Sequence, residues 1–279
     1  MTKVSAKIIA DSLFNGVRLT SVQLEYHRFV LPELNTHRVF SRSTASSRAI
    51  PTAKLIERVR TDAAMPVFWG KNQSGMVADN ALSDDAVVQC EAIWQETALF
   101  CAQQAERLHA IGLHKQTANR LIEPFLWAST IITATEWDNF FNLRLAHDAQ
   151  PEIRELAEAM MHAMDASIPV KRSYHLPYIT EKVGSFEDYL FYAPISAARC
   201  ARVSYLNHDQ TQPDIQSDLA LAERLIAANH QSPQEHQAWG ARLPLMVYQE
   251  ANERFFGNIR GWVQYRKYLE VKNGKTIHE

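Results

Sequence analysis

The chain has 279 residues, of which 46% are hydrophobic and 22% are charged, and its formal net charge is −2. This composition supports a folded core and excludes an intrinsically disordered chain. The near-neutral charge argues against a protein that coats polymeric nucleic acid, although a local basic patch could still bind a single nucleotide.

The cysteines and the first residues favour a cytoplasmic protein. Cys90, Cys101 and Cys200 form no CxxC motif, and we interpret them as buried hydrophobic residues. The start MTKVS does not resemble a secretory leader, and no apolar run approaches the ~18–20 residues that span a bilayer. We therefore expect a cytoplasmic location and no membrane partner.

Hydrophobic periodicity predicts a mixed α and β chain. Alternation of apolar and polar residues predicts a half-buried strand over Arg18–Phe29, with Val22, Leu24 and Tyr26 on one face. Amphipathic patterns then predict helical segments over Thr52–Ala63, Asp84–Gly112, Glu136–Ala166 and Gln216–His230.

The other elements follow from composition and single residues. Residues 68–84 predict a loop, because they are rich in Gly, Asn, Ser and Asp. Pro151 predicts a kink in the third helical segment, or the first turn of a second helix. We expect a strand near Val203, one or two strands within residues 236–271, and, without repeats or linkers, a single domain over 1–279. The long helix is expected to bury Val87, Ile93, Ala98, Ala102 and Leu108.

Residues 36–51, THRVFSRSTASSRAIP, hold three arginines and six hydroxyls without an acid. Further arginines stand at Arg120, at Arg144 and in the tail RGWVQYRK. The planar guanidinium suits phosphate and carbonyl oxygens, and neighbouring hydroxyls complete an anion site. A solvated basic loop with ordinary ion pairs on helix surfaces explains the same residues, so both interpretations stay open.

The turn around Arg144 mixes apolar and polar residues. Its two phenylalanines and Leu143 indicate a turn that faces the core, whereas Asn139, Asn142 and Arg144 are polar. An unpaired buried polar group costs roughly 1–3 kcal/mol, so these residues need partners. The turn therefore belongs either to a structural network or to a ligand site.

Five segments together resemble the flavin-dependent thymidylate synthase family. THRVFSRSTASSR is similar to the family signature, in which an Arg-His-Arg is followed by spaced serines and an arginine. The other four are AERLHAIGLHKQTANRLIEP, NFFNLRLAHDAQPEIRELAEAM, ARVSY and NHQSPQEH, beginning at residues 105, 139, 201 and 229.

The order of these segments differs from that of the family. ARVSY and the SPFEH-like segment precede the signature there, but follow it here. The resemblance therefore implies a circular permutation, with residues 1–166 similar to the family's C-terminal part and residues 190–279 similar to its N-terminal part. We predict that the strand SVQLEY shares a sheet with the closing strands near GARLPLMVY and WVQYRKYL.

The resemblance also implies a fold and an activity. The fold is α/β (α+β), with a small, mostly antiparallel sheet flanked by long helices, assembled as a homotetramer. The activity is methylation of dUMP to dTMP, with FAD as cofactor and methylenetetrahydrofolate and NADPH as co-substrates. FAD supplies the redox chemistry, and the protein orients and polarises the reactants.

Site residues are carried over from the resemblance, position by position. Arg144 is expected to be catalytic, stabilising charge on the uracil ring. His230 and His236 are six residues apart without a third ligand, so we predict no metal site. The substrate contacts are Glu33, Ser46, Ser47, Arg48, Arg120 and Arg144. The FAD contacts are Thr36, His37, Arg38, Val39, Thr44, Asn139, His230, Ser232 and Glu235.

Several positions depart from the family pattern, mainly on the cofactor side. Thr36, Ser43-Thr44 and Ala49 replace the Arg, Asn-Glu and Tyr of the signature, Glu33 replaces an upstream Gln, and Thr133–Thr135 replaces an Asn-Arg-Ser triplet. Three hypotheses follow. The first is thymidylate synthesis by the flavin route. The second is a related flavin- and folate-dependent C5 modification of another pyrimidine nucleotide, such as hydroxymethylation or action on a cytosine nucleotide, and the third is a non-catalytic nucleotide- or flavin-binding protein.

Overall fold

The computed structural model describes residues 3–203, 211, 214–241 and 255–272. The strands are β1 Ser5–Phe14, β2 Val17–His27, β3 Ser41–Thr44, β4 Trp127–Ala134, β5 Val170–Lys171, β6 Tyr174–His175, β7 Ala238–Gly240 and β8 Trp262–Gln264. The α-helices are α1 Leu31–Asn35, α2 Thr52–Asp62, α3 Asp84–Ala110, α4 Lys115–Ala118, α5 Asp138–Arg144, α6 Pro151–Asp165, α7 Phe186–Arg202, α8 Ile215–Ala227 and α9 Tyr265–Lys272. Short 3-10 helices cover Arg28–Val30, Ser47–Ala49, Asn119–Phe125 and Ser232–Glu235.

The larger sheet has five strands in the order β3-β4-β2-β1-β5, antiparallel except for the short β5. Its centre confirms the predicted strand over Arg18–Phe29 and the burial of Val22, Leu24 and Tyr26. β1 was not predicted, although Asn15-Gly16 is the residue pair that a two-residue hairpin turn favours, and both residues have positive φ.

Helix α6 covers one face of this sheet and forms the main core with it. The buried residues of α6 pack against β2 and β4 through apolar side chains. A second core lies between α2, α3 and the 3-10 helix Asn119–Phe125. This mixed architecture confirms the predicted α/β (α+β) class, with a small, mostly antiparallel sheet flanked by helices.

The predicted helices are present, with two differences in detail. Residues 136–166 form two helices, and Pro151 occupies the first turn of the second, which is the second of the two predicted arrangements. In α3, Ala98 and Ala102 face the core as predicted, but Ile93 is 63% exposed. Ile93 precedes Ala98 by five residues, which is about 140° around the helix, so it points elsewhere.

The predicted strand near Val203 is wrong. Residues 186–202 form helix α7, which starts at a capping box of Ser185 and Asp188. Val203 is the C-terminal cap in the left-handed conformation, at φ 54°. Every residue from Ile195 to Cys200 is buried, so the second half of α7 has no exposed face that would reveal a helical period.

The predicted sheet shared by SVQLEY and the closing strands is also wrong. β7 and β8 belong to a separate sheet with the order β6-β7-β8, and much of WVQYRKYL forms α9. The two sheets nevertheless lie together, because the Phe14 and Trp262 rings are 5.7 Å apart and the Trp262 indole donates to the Val17 carbonyl at 3.3 Å. Among the described residues, side chains and not a shared backbone ladder join the two sheets.

Part of this prediction falls on LPLMVY, which lies outside the described residues. The circular permutation and the single domain therefore stay predictions. In the described part of the chain, no helix is long and apolar enough to cross a membrane.

Candidate active site

The signature segment runs from α1 through a turn into β3 and ends in the 3-10 helix Ser47–Ala49. β3 has four residues, so it separates the turn from the 3-10 helix by about 13 Å. The predicted FAD residues therefore start at one end of a short strand, and the predicted phosphate residues lie at the other end.

At the first end, Arg144 of α5 joins the signature. Its Nε donates to Nε2 of His37 at 2.9 Å. Its Nη2 donates to the Thr36 hydroxyl at 3.2 Å and to the Glu33 carbonyl oxygen at 3.4 Å. The structure thus brings Arg144 to three predicted site residues that precede it by more than 100 positions.

His37 is buried and neutral in this arrangement. Its ring lies edge-on to Phe140 at 4.9 Å and stacks with Phe40 at 5.8 Å. Burial lowers the pKa of His37, and the nearby positive charges of Arg144 and Arg42 lower it further. Because Nε2 accepts from Arg144, the ring proton of the neutral imidazole lies on Nδ1.

A cavity of about 770 Å³ opens beside Arg144 and Glu33. Its walls include Phe29, Phe68 and Trp94, and its floor includes the α5–α6 connection. Residues between Pro66 and Asp79, which include the first part of the predicted loop 68–84, form one side. They are held in place where the Val67 N–H donates to the Glu152 carboxylate at 2.9 Å. Apolar walls with a few polar groups are typical of a small-molecule site.

Glu33 is one of four acidic residues that line this cavity, with Asp79, Asp148 and Glu152. Its Oε2 atom is buried without a hydrogen-bond partner among the described residues. Burial raises the pKa of Glu33, against the opposing effect of the Arg144 charge, and Glu152 raises it further. Its carboxyl group is therefore poised between the charged and neutral forms at a higher pH than usual.

The 3-10 helix Ser232–Glu235 packs along β3. The Ser232 hydroxyl contacts the Ser43 hydroxyl at 3.0 Å and donates to the Arg42 carbonyl oxygen at 3.1 Å. Glu235 forms an ion pair with Arg266, although burial raises the pKa of Glu235 overall. Residues of the SPQEH segment are therefore held directly against the signature strand.

At the far end of β3, Glu123 gathers the predicted phosphate residues. It accepts from Ser47, from Arg120 at 2.8 Å and from Arg28 at 3.0 Å. Burial alone would raise the pKa of Glu123, but these donors outweigh it, and the net pKa is lowered. Arg120 is 53% exposed, so one side of its guanidinium is open to a ligand.

A family model described as thymidylate synthase complementing protein, Thy1, matches residues 10–170, which is more than half of the chain. The chain belongs to this family. Membership confirms the resemblance seen in the sequence and makes the protein an enzyme of the thymidylate synthase type. The matched range ends before ARVSY and NHQSPQEH.

Two solved structures are similar to this chain, both of a UMP/dUMP methylase PolB from Streptomyces cacaoi. The complex with 5-Br UMP has a TM-score of 0.47 at 14% identity and covers 59% of this chain and 89% of that chain. The complex with 5-Br dUMP has a TM-score of 0.42 at 13% identity and covers 59% and 90%. No curated protein sequence matches the chain.

Some predicted site residues of this Thy1 chain lie outside the contacts described around Arg144, Ser232–Glu235 and Glu123. Thr44 bonds to the Thr130 hydroxyl at 2.9 Å, on β4. In the described part of the chain, Arg38 and Arg48 are exposed without an ion pair. The remaining predicted residues are also exposed, and they are Val39, Ser46, Asn139 and His230.

The predicted core-facing turn at Arg144 holds only in part. Phe140 is buried, but Leu143 is 52% exposed, because α5 has only two turns and only one of its faces packs. His236 is fully buried and His230 exposed, so these two side chains do not share a site. Among the residues that the structure describes, no group of His, Cys, Asp and Glu could hold a metal ion.

Three structurally important residues were missed by the sequence analysis. Arg42 donates to the backbone carbonyls of Asn35 and His37, both at 2.9 Å, and so fixes the signature turn. Glu123 organises the phosphate end, and His236 bonds to Ser43 at 3.0 Å. Glu123 and His236 lie inside quoted motifs, but apart from Arg120 their named partners are more than 70 residues away, and only the fold reveals them.

Proposed function

We propose that this Thy1 protein methylates dUMP at C5 to form dTMP, with FAD as cofactor and methylenetetrahydrofolate and NADPH as co-substrates. The observation that carries the proposal is the contact between Arg144 and His37 at the edge of the large cavity. It joins the signature to the α5 helix and directs a guanidinium toward a space of nucleotide size.

The two ends of β3 support a nucleotide. The cavity offers aromatic walls for a base, with Arg144 and Glu33 as polar groups. Arg48 and the open side of Arg120 can bind a phosphate, because guanidinium groups pair with phosphate oxygens through two parallel hydrogen bonds. We infer that the base lies toward the cavity and the phosphate toward Ser46–Arg48.

The chemistry of the side chains also fits FAD. Arg38 is an exposed cation without an ion pair among the described residues, as a pyrophosphate requires. Uncharged hydrogen-bonding groups are also available for FAD. They are the hydroxyls of Thr36, Thr44 and Ser232 and the side-chain amide of Asn139. When bound, FAD supplies the hydride that reduces the transferred one-carbon group.

The role of Arg144 follows from its hydrogen bonds. His37 and Thr36 hold the guanidinium in one orientation before the substrate binds, so little reorganisation is needed. His37 accepts through Nε2 and holds the guanidinium in place without adding a negative charge. The guanidinium can therefore stabilise negative charge that develops on the pyrimidine ring.

We infer further that the protein is a cytoplasmic homotetramer. The support is an exposed apolar surface on α3, which includes Val88, Leu99 and Phe100. Monomers rarely leave such side chains together in water. Light scattering coupled to size-exclusion chromatography measures the subunit number, and a monomer at micromolar concentration would exclude the tetramer.

The direct test is an assay of the purified full chain. A protein that binds FAD absorbs near 450 nm, and incubation with dUMP, methylenetetrahydrofolate and NADPH should yield dTMP by mass spectrometry. Omitting each component in turn provides the controls. Unchanged dUMP in the complete mixture, from protein that carries FAD, would overturn the proposed substrate.

Glu33 favours one second candidate, which is C5 modification of a cytosine nucleotide such as dCMP. A carboxylate accepts from the exocyclic amine of cytosine, whereas uracil has a carbonyl there. Glu33→Gln separates the candidates by direction, because the amide can donate to the uracil carbonyl, whereas its oxygen is a weaker acceptor for the cytosine amine than a carboxylate. If dCMP is the substrate, this change should lower turnover of dCMP, and if dUMP is the substrate, turnover of dUMP should persist.

A further inference from the structure

A continuous row of buried hydrogen bonds crosses from one sheet to the other, and we name it the buried array. Nδ1 and Nε2 of His175 lie 2.8 Å from the hydroxyls of Ser12 and Ser21, respectively. Nδ1 of His236 lies 2.9 Å from the Thr133 hydroxyl, and its Nε2 lies 3.0 Å from the Ser43 hydroxyl. The side chains are connected in the order Ser12, His175, Ser21, Thr133, His236, Ser43 and Ser232.

The Arg42 carbonyl at the end of the array determines the direction of the bonds. A carbonyl oxygen only accepts, so Ser232 spends its single hydroxyl proton there and accepts from Ser43. Ser43 has then used its own proton, so it accepts from the Nε2–H of His236. A neutral imidazole carries one N–H, and Nδ1 of His236 therefore accepts from Thr133.

The same argument reaches the other end of the array. Thr133 accepts from Ser21, Ser21 accepts from the Nε2–H of His175, and Nδ1 of His175 accepts from Ser12. Both rings have to be neutral for this pattern. Burial fulfils that condition, since it lowers the pKa of His175 and of His236 to about 3.

We propose that the buried array makes Ser232 a hydrogen-bond acceptor only, and that His175 and His236 are positioning residues that enforce this. Ser43 is buried, whereas Ser232 is partly exposed beside β3 and can meet a ligand. The group that binds Ser232 is then an N–H or O–H donor, and not a carbonyl or a phosphate oxygen. Applied to FAD, this inference rests on the proposed function; the direction of the bonds does not.

The direction is tested without any ligand. In the full chain labelled with ¹⁵N-histidine, long-range ¹H–¹⁵N correlation spectra distinguish the two imidazole tautomers. We expect the Nε2–H form for His175 and His236, and the Nδ1–H form for His37 as an internal contrast. Single His→Gln variants assign the signals. The Nδ1–H form at either array histidine would overturn the proposal.

Two substitutions at His175 test its positioning role. In His175→Gln the side-chain amide still donates toward Ser21, whereas His175→Leu offers no donor. The Nδ1 signal of His236 should therefore keep its position in the glutamine variant and shift in the leucine variant. An unchanged His236 signal in a folded leucine variant would show that His175 does not act through the array.

The consequence for the cofactor is measured by FAD titration. Ser232→Ala removes the acceptor and should raise the Kd for FAD roughly 2- to 10-fold, while Ser232→Thr, which keeps a hydroxyl, should stay near the unsubstituted value. Equal affinity of Ser232→Ala would refute the acceptor role. Absence of FAD binding by the unsubstituted protein would instead refute the proposed function. The histidine tautomers would then still test the direction of the hydrogen bonds in the buried array.

Discussion

The two histidines of the buried array make a quantitative prediction for stability against pH. In the folded protein each has a pKa of about 3, whereas an exposed histidine in the unfolded chain has a pKa of ~6.5. Between pH 7.5 and 5.5 the unfolded state therefore gains protons that the folded state does not bind. Stability has to fall as the pH is lowered through this window.

The size of the effect follows from the two pKa values. For one histidine, the difference in the free energy of unfolding between pH 7.5 and pH 5.5 is about 1.4 kcal/mol, and for two it is about 3 kcal/mol. Urea denaturation followed by circular dichroism at the two pH values measures this loss. Burial also lowers the pKa of His27 and His37, which adds to it in the same direction.

A matched variant isolates the contribution of one ring. His236→Gln removes one titrating group and keeps a side-chain donor for Ser43. The variant will be less stable at both pH values. Its loss of unfolding free energy between pH 7.5 and pH 5.5 should, however, be smaller by about 1.4 kcal/mol than that of the unsubstituted protein. If the variant and the unsubstituted protein lose the same free energy on acidification, His236 is not held neutral and the reasoning fails.

Three further predictions concern single side chains. Arg144→Ala should reduce kcat at least ~100-fold with an unchanged unfolding midpoint, and near-normal turnover would refute its assigned role. Arg120→Ala should raise the Kd for dUMP roughly 10- to 100-fold, as measured by calorimetry, since it removes a charge-assisted bond to phosphate; an unchanged Kd would place the phosphate elsewhere. Gly240→Ala should lower the free energy of unfolding by about 1–3 kcal/mol, measured by urea denaturation, because a Cβ there would lie 2.4 Å from the Phe14 ring. Gly184→Ala is the control, because a Cβ there would lie 3.9 Å from the nearest atom, an Asp188 carboxylate oxygen, and equal stability of the two variants would contradict this packing.

Local patterns explain which elements were predictable. β2 alternates because one of its faces packs on α6, and α2 has a clear apolar stripe over the second core. The second half of α7 is covered on all sides, because every residue from Ile195 to Cys200 is buried, so its helical period is hidden there. The small sheet has strands of two or three residues, too short for any pattern to reveal.

The candidate site divides in the same way. The residue types and their motifs were visible in the sequence, and the fold brings Arg144 to His37 across 107 positions. What the sequence could not provide were the long-range partners that set protonation and orientation. The acceptor nitrogen of His37 and the link from Ser43 to His236 depend on which elements pack together.

The pairing of β2 with β4 has a consequence for biosynthesis. It joins Thr20 to Ala134, so the hairpin of β1 and β2 leaves the ribosome long before its other neighbour exists. Hairpins form in roughly 1–10 μs, but the edge of β2 then stays open until more than one hundred further residues have been translated. An unpaired strand edge is a template for association with other chains. During synthesis, β2 is therefore the segment that a chaperone has most reason to cover.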